Sequence, residues 1–253
     1  NESVIATQWG EWRPRGGHRL WAAPEAMPRS YAPDNDAVEF EFAGDRAVRL
    51  LQHVEPQTKL QKEITVELDA EGTGVRLTHR ITNRGLWPVE LAPWALTIMR
   101  GGGEAIIPQE PYGPHPEFLL PTRQMVLWPY TDLSDPRWTL GRRLVRLRTD
   151  DARAEPQKLG VANKRGWAAY RLGETLFVKR FAYAAGARYP DLGCNCELFT
   201  AASFIEVESL APLTQLEPGA TTEHAESWQL FDAFKAGESD EELDDALRPL
   251  VEA

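Results

Sequence analysis

The fold is decided by the stretch Leu60-Gln61-Lys62-Glu63-Ile64-Thr65-Val66-Glu67-Leu68, in which apolar and polar residues alternate. A second alternating stretch follows, Val75-Arg76-Leu77-Thr78-His79-Arg80-Ile81-Thr82-Asn83. Successive side chains of a β-strand point to opposite faces, so each stretch predicts a strand with one apolar face. The link Asp69-Ala70-Glu71-Gly72 has the composition of a turn. The two strands are therefore predicted to pair as an antiparallel hairpin.

Each strand of this predicted hairpin carries an ionisable residue on its apolar face, Lys62 on the first strand and His79 on the second. A four-residue loop places Lys62 directly opposite His79. A register shifted by two residues instead pairs Ile64 with His79 and leaves Lys62 diagonal to it. Both registers are open at this stage, and both keep Lys62 and His79 near each other on one face.

A third alternating stretch carries two acids on its apolar face. In Phe204-Ile205-Glu206-Val207-Glu208-Ser209-Leu210, Glu206 and Glu208 share a face with Phe204 and Leu210. A buried charge without a partner costs several kcal/mol. Such residues are therefore either paired in the core, for example Lys62 with a glutamate, or used to line a pocket. The pattern alone leaves both interpretations open.

The rest of the chain extends the all-β pattern. Residues 1–36 are predicted to be irregular. Further strands are predicted near residues 38–42, 48–54, 88–99, 104–108, 125–129, 143–149, 158–163, 167–172, 175–183, 196–200 and 223–231. Ser239 and Glu242 have the spacing of a capping box, which predicts a short C-terminal helix. The sequence therefore predicts an all-β antiparallel sandwich with one short helix, as a single domain over residues 1–253.

Composition excludes several classes of partner. The net charge is −10, of which −6 lies in residues 238–253, where seven acidic residues accompany one arginine. No basic cluster indicates nucleic acid, and no apolar run is long enough to span a membrane. Cys194 and Cys196 are predicted to be two buried thiols rather than half of a metal site, and no cofactor is predicted. Compartment and oligomeric state stay open.

The inward-facing charges suggest one particular chemistry. Interconversion of sugar anomers needs a general base at the anomeric hydroxyl and a general acid at the ring oxygen. Glu208 or Glu206 would be the base and a histidine the acid. Tryptophans stack on sugar rings, and Trp21 and Trp94 lie near loops or strand ends where a ligand has access. The spacing of Glu206 and Glu208 is also compatible with a glycosidase.

Three segments of the chain resemble a known superfamily. Arg15-Gly16-Gly17-His18-Arg19-Leu20-Trp21 resembles the entry motif of hexose-6-phosphate epimerases. The segment Val75 to Trp94 resembles their strands before the catalytic histidine, and Phe204 to Ser209 resembles their strand with the catalytic glutamate. The whole chain is similar to the galactose mutarotase-like superfamily. It is most similar to a bacterial branch with the motifs Gly-Gly-His-Arg-Leu-Trp and Ala-Pro-Trp-Ala-Leu-Thr.

This resemblance implies a galactose mutarotase-like β-supersandwich, two large antiparallel sheets with a small carbohydrate bound on a concave face. It implies that Glu208 is the catalytic base and that Arg15 contacts the substrate. It also implies that strands preceding the Arg-Gly-Gly motif are missing from the N-terminus. The predicted substrate-binding residues are Arg15, Arg19, Lys62, Trp94, Glu206 and Trp21.

One departure from the superfamily divides the functional hypotheses. Trp94 stands where the superfamily has its general-acid histidine, and an indole cannot exchange a proton. If the protein is an enzyme, an aldose 1-epimerase-like isomerase or a glycoside-active enzyme, His79 or His18 is the predicted acid opposite Glu208. Otherwise the protein binds a carbohydrate without turnover, with Trp94 as a stacking platform, or serves as a structural or interaction domain.

Overall fold

The computed structural model describes residues 4–252, and β-strands account for most of the regular structure in this range. No helix in it is long and apolar enough to cross a membrane. The elements in chain order are β1 (Ile5–Thr7), β2 (Gly10–Trp12), β3 (Gly17–Ala23), a 3-10 turn (Arg29–Tyr31), β4 (Glu39–Phe42), β5 (Ala47–Leu51), β6 (Leu60–Leu68), β7 (Val75–Asn83), β8 (Val89–Arg100), β9 (Glu104–Pro108), β10 (Met125–Leu127), β11 (Trp138–Leu140), β12 (Leu144–Arg148), β13 (Gln157–Val161), β14 (Trp167–Leu172), β15 (Thr175–Phe181), β16 (Cys196–Ala201), β17 (Phe204–Leu210), β18 (Thr214–Leu216), β19 (Thr221–Phe231) and α1 (Asp240–Val251).

Two large antiparallel sheets pack face to face. The ten-stranded sheet has the order β11-β12-β9-β14-β15-β19-β7-β6-β5-β4. The seven-stranded sheet runs β10-β13-β16-β17-β8, with β3 along the other edge of β8 and β18 beside β8 beyond the end of β17. This arrangement confirms the predicted all-β supersandwich and the short C-terminal helix.

The hairpin of β6 and β7 forms as predicted, in the second of the two registers. Ile64 pairs with His79, and Lys62 pairs with Ile81. The loop is longer than the four residues first considered, because β6 ends at Leu68 and β7 begins at Val75. Lys62 and His79 nevertheless share the face that points into the sandwich.

The N-terminal region differs from its sequence prediction. Residues 1–36 are predicted to be irregular, yet the described part contains β1, β2 and the seven-residue strand β3. The Pro and Gly residues on both sides of Gly17–Ala23 obscure its alternation of apolar and polar residues in the sequence. Its pairing partner, β8, lies far along the chain. Trp12 and Tyr31 pack against Trp21, so residues from β2 and the 3-10 turn cover the outer face of the seven-stranded sheet.

The main core lies between the sheets. Inward residues of β13, β16 and β17, such as Leu159, Leu198 and Val207, pack against inward residues of β9, β12 and β14. Helix α1 covers the opposite face of the ten-stranded sheet, where Leu243 and Leu247 contact a second apolar cluster. The capping box of Ser239 and Glu242 is present at its N-terminus, as predicted.

One ion pair of the ten-stranded sheet lies in the interior of the sandwich. Lys179 on β15 and Glu226 on β19 are both fully buried, and the Nζ atom lies 2.8 Å from Oε1. Lys179 also donates hydrogen bonds to the Ala95 and Val207 carbonyl oxygens and to Thr97 Oγ1, at 3.0–3.1 Å, all in the opposite sheet. A single ammonium group therefore ties the two sheets together.

We predict that Glu226→Gln strongly destabilises the protein. Removing one partner of a buried ion pair leaves an uncompensated charge, which costs about 3–5 kcal/mol. The measurement is urea unfolding at pH 7. Glu174→Gln is the matched control, because the Lys235–Glu174 pair is exposed and its atoms lie 3.8 Å apart. A Glu226→Gln midpoint equal to that of the control would contradict the prediction.

Candidate functional site

The predicted site residues divide between two faces of the seven-stranded sheet. On β3, His18 points into the sandwich, whereas Arg19 and Trp21 point outward, because neighbouring residues alternate. On β17, Glu206 and Glu208 also point outward, opposite the inward Val207. The sheet therefore separates the predicted base, Glu208, from both predicted acids, His18 and His79.

Glu208 lies in a closed polar cluster on the outer face. It is fully buried, and its Oε2 accepts a hydrogen bond from Trp94 Nε1 at 2.8 Å. Lys158 Nζ donates to the same carboxylate at 3.1 Å and lies 2.8 Å from Glu197 Oε2. The Lys158 ammonium also sits 4.6 Å from the ring centroid of Trp94 and 4.8 Å from that of Trp128. Trp94, itself 1% exposed, has no open face on which a ligand could stack.

The charges of this cluster depend on burial and on one lysine. Burial opposes the charge on Lys158, but the carboxylates of Glu197 and Glu208 hold the Lys158 pKa well above its usual value. Burial raises the pKa of Glu197 well above its usual value, against the opposing effect of Lys158. Neither Glu197 oxygen has a hydrogen-bond partner in residues 4–252, so its contact with Lys158 is an ion pair without a well-aligned hydrogen bond.

Glu206 lies at the edge of this cluster and is half-buried. Burial, together with the negative charge of Glu208, raises its pKa to about 8, while Lys158 and Arg19 act in the opposite direction. The Glu206 carboxyl group is therefore mostly protonated at pH 7. Arg19 lies nearby on the same face and is paired with Asp34 at 2.7 Å.

The two predicted acids contact each other inside the sandwich. His79 Nδ1 donates to the backbone oxygen of His224 at 2.9 Å, which leaves Nε2 as the acceptor of a neutral ring. His18 Nε2 lies 2.6 Å from His79 Nε2 and donates to it, and His18 Nδ1 accepts from Thr97 Oγ1 at 3.0 Å. Burial lowers the pKa of His18 to about 3. All four ring nitrogens are engaged, so neither ring has a free nitrogen for a substrate.

The same interior region contains the one group of possible metal ligands found among residues 4–252. His18, His79 and Glu226 offer three ligand atoms within 4.8 Å of one another. Lys179 already supplies a positive charge 2.8 Å from Glu226, and Ser209 and Trp228 donate hydrogen bonds to the same carboxylate. These residues fit an ion-pair network better than a divalent cation.

Four predicted residues do meet at a cavity. A space of about 280 Å³ opens where β3, the edge strand of the seven-stranded sheet, lies over β5 and β6 of the other sheet. It is lined by Arg15, Gly16, His18, Arg19, Leu20, Asp34, Val38, Leu50, Gln52, Lys62 and Ile64. The lining thus includes Arg15, His18, Arg19 and Lys62, but none of Glu206, Glu208, Trp21 and Trp94.

The polar groups of this edge cavity are partly engaged and partly free. Lys62 pairs with Glu55 at 2.6 Å, which is the glutamate pairing considered for Lys62 from the sequence. Asp34 Oδ2 binds Arg19, while Asp34 Oδ1 is buried without a hydrogen-bond partner in residues 4–252. Arg15 is exposed at the mouth, and its contact with Asn35 Oδ1 is long, at 3.5 Å. The cavity therefore offers donors on Arg15, and both a donor and an acceptor on the amide of Gln52.

Sequence reasoning missed the residues that close the outer cluster. Lys158 and Glu197 were not singled out, although Glu197 lies directly opposite Glu208 on adjacent strands. Two acids facing each other across a strand pair need a cation nearby, and this was a usable signal. Asp34 lies in an irregular segment, where no periodicity indicates which way a side chain points, whereas Gln52 directly follows β5 and lines the cavity with Leu50, as the alternation predicts.

Solved structures of related fold were found at low sequence identity. A galactose mutarotase-like protein from Lactobacillus casei shares 14% identity with a TM-score of 0.52, over 91% of this chain and 81% of the other. A candidate aldose 1-epimerase from Klebsiella pneumoniae shares 10% with a TM-score of 0.52, over 98% and 63%. A TPR-domain containing protein from Parabacteroides distasonis shares 12% with a TM-score of 0.53, over 88% and 40%.

No protein-family model matches the sequence, and no curated protein matches it significantly. The structural relationship nevertheless holds at the level of the fold, so this chain has a galactose mutarotase-like β-sandwich. A shared fold does not by itself assign chemistry. Function therefore has to be argued from the side chains described above.

We predict that Glu206 makes stability fall with rising pH. Its folded pKa of about 8 exceeds the ordinary value of 4.5, so the folded state holds a proton that the unfolded state releases between these values. The free energy of unfolding should then decrease by up to about 1.4 kcal/mol per pH unit between pH 5 and pH 8. Urea titrations at several pH values measure this free energy. Its slope against pH should be flatter in Glu206→Gln than in the parent protein. Identical slopes in both would contradict the assignment.

Proposed function

We propose that this protein binds a small carbohydrate in the edge cavity and does not interconvert its anomers. The observation that carries this proposal is the convergence of four predicted residues, Arg15, His18, Arg19 and Lys62, on one open cavity in which the exposed Arg15 and the amide of Gln52 can still bind a ligand. Four of the nine residues predicted from the sequence contribute to it.

The chemistry of the cavity suits a polyhydroxyl ligand. Sugar hydroxyls both donate and accept hydrogen bonds, and the cavity offers the amide of Gln52 beside the cations Arg15 and Lys62. Leu20, Val38, Leu50 and Ile64 supply an apolar wall for the C–H face of a sugar ring. At about 280 Å³ the cavity lies at the lower limit of ligand pockets, the size of one sugar ring rather than a longer chain.

The fold supports the same class of ligand. The Lactobacillus casei protein is described as galactose mutarotase-like, and the Klebsiella pneumoniae protein as a candidate aldose 1-epimerase. Both descriptions concern sugars. They favour a carbohydrate as the class of ligand, but they do not identify the binding site in this chain.

The contacts made by the predicted base and acids argue against turnover. A general base must come within about 2.6–3.2 Å of the proton that it removes. Glu208 is fully buried and already binds Trp94 and Lys158. His18 and His79 have no free ring nitrogen and face the other side of the sheet. The geometry therefore favours binding over the epimerase hypothesis.

The test is calorimetry of the protein with a panel of aldoses and uronates, together with exchange NMR of their anomeric protons. We expect saturable binding of at least one sugar without acceleration of anomer exchange. Arg15→Ala should weaken that binding at least about tenfold, or about 1.4 kcal/mol. Arg13→Ala is the matched control, because Arg13 is an exposed arginine two residues away that does not line the cavity.

Glu208→Gln separates the two hypotheses further. Because Glu208 lies on the opposite face from the cavity, this change should leave sugar affinity within about twofold of the parent value. Circular dichroism checks that the variant is folded. Accelerated anomer exchange that disappears in Glu208→Gln would overturn the non-catalytic proposal, and absence of binding to every sugar would overturn the carbohydrate proposal itself.

A further inference from the structure

The end strand β4 of the ten-stranded sheet has an open edge. Among the residues that the structure describes, β4 pairs with β5 and has no strand on its other side. Just after β4, the Ala43 N–H donates to the first carbonyl oxygen of β5 at 2.9 Å. Hydrogen-bonded pairs recur at every second residue of an antiparallel ladder, so Glu39 and Glu41 also bond to β5. The N–H and C=O groups of Phe40 and Phe42 therefore point to the open edge.

One face of β4 continues an apolar surface of the ten-stranded sheet. Phe40 and Phe42 lie on this face and are both largely exposed. Their two cross-strand rows extend into β5 and β6 through four half-buried apolar side chains, Val48, Leu50, Ile64 and Val66. At the other end of the same sheet, by contrast, Trp138 of β11 is buried. An exposed apolar edge strand is a template for pairing with another chain, so β4 offers both the bonding groups and the surface that a further strand would cover.

The opposite face of β4 is acidic. Glu39 and Glu41 lie on it, and both side chains are exposed. Glu41 accepts a hydrogen bond from Arg49, whose guanidinium also binds Glu63. Glu39 lies 3.8 Å from the ring of His53. Because glutamate and phenylalanine alternate along β4, a strand added at this edge would meet carboxylates on one face and aromatic rings on the other.

We propose that β4 is the docking edge for an extended segment of another protein, in which apolar residues alternate with lysine or arginine. The segment adds to the sheet as a further strand and bonds to the backbone of Phe40 and Phe42. Its apolar side chains lie beside these rings, and its basic side chains lie beside Glu39 and Glu41. This interaction is separate from the proposed binding of a carbohydrate in the edge cavity.

Charge disfavours a second copy of this chain as the occupant of the edge. Two antiparallel registers of β4 with itself keep the rings on one face and pair most of the strand. They place Phe40 opposite either Phe40 or Phe42 of the copy, and both place glutamate opposite glutamate. Like charges directly opposite each other are destabilising, and the net charge of −10 adds to the repulsion between copies. A basic segment meets opposite charges at the same positions.

The test is calorimetry with a capped seven-residue peptide that alternates lysine and valine. One comparison peptide alternates glutamate and valine, and another has the lysines and the valines in separate blocks. We expect the alternating lysine peptide to bind at least about tenfold more tightly than either comparison peptide. Phe40→Ser with Phe42→Ser should weaken its binding at least about tenfold. Leu119→Ser with Leu120→Ser is the matched control, because this exposed apolar pair lies outside β4.

Reversing the charge of the edge tests the choice of partner. Glu39→Lys with Glu41→Lys should invert the preference, so that the alternating glutamate peptide binds at least about tenfold more tightly than the alternating lysine peptide. Glu71→Lys with Glu117→Lys is the matched control. It makes the same change in net charge at exposed positions outside β4 and should keep the original preference.

Amide hydrogen exchange measured by NMR locates the contact. Exchange at Phe40 and Phe42 should slow when the lysine peptide binds, because their N–H groups then donate to the added strand. Equal affinity for the three peptides, equal losses in the two apolar double variants, or unchanged exchange at Phe40 and Phe42 would overturn the inference. Sedimentation of the protein alone tests for the second copy, and a dimer that Phe40→Ser with Phe42→Ser abolishes would also overturn it.

Discussion

The buried ammonium group of Lys179 is the constraint on which the arrangement of the two sheets depends. It belongs to β15 of the ten-stranded sheet, yet it donates to carbonyl oxygens of β8 and β17 in the opposite sheet and pairs with Glu226. A buried charge is tolerated only where nearly every donor finds an acceptor. Sliding one sheet over the other would break these bonds, so the ion pair acts mainly by fixing how the sheets align.

That alignment determines what the histidines can do. Thr97, which accepts from Lys179, also donates to His18, and His18 donates to His79. The chain of hydrogen bonds extends from the ion pair to the edge of the sandwich, and every ring nitrogen in it is used. The histidines thus complete a structural network beside the edge cavity, and Glu208 is held in a separate network by Lys158 on the other side of the sheet.

The edge of the sandwich remains the accessible part of the molecule. Strand β3 ends the seven-stranded sheet, whereas the ten-stranded sheet continues through β6, β5 and β4. Beyond β3 the ten-stranded sheet is therefore uncovered, so Phe40 is 65% exposed and Phe42 is 78% exposed. The edge cavity is open for the same reason. A ligand site at a sheet edge can be altered through short loops without disturbing the buried ion pairs that hold the sheets together.

Local sequence determined the strands, the β6–β7 hairpin and the capped helix, because alternation and capping are properties of neighbouring residues. It also determined that Lys62 and His79 share a face. Only the tertiary structure decided that Glu208 meets Lys158 and Glu197, that His18 meets His79, and that Arg15, Arg19 and Lys62 share a cavity. Strand periodicity says that a side chain lies on one face or the other, but which face is buried, and against what, depends on strand order and sheet packing between residues distant in the chain.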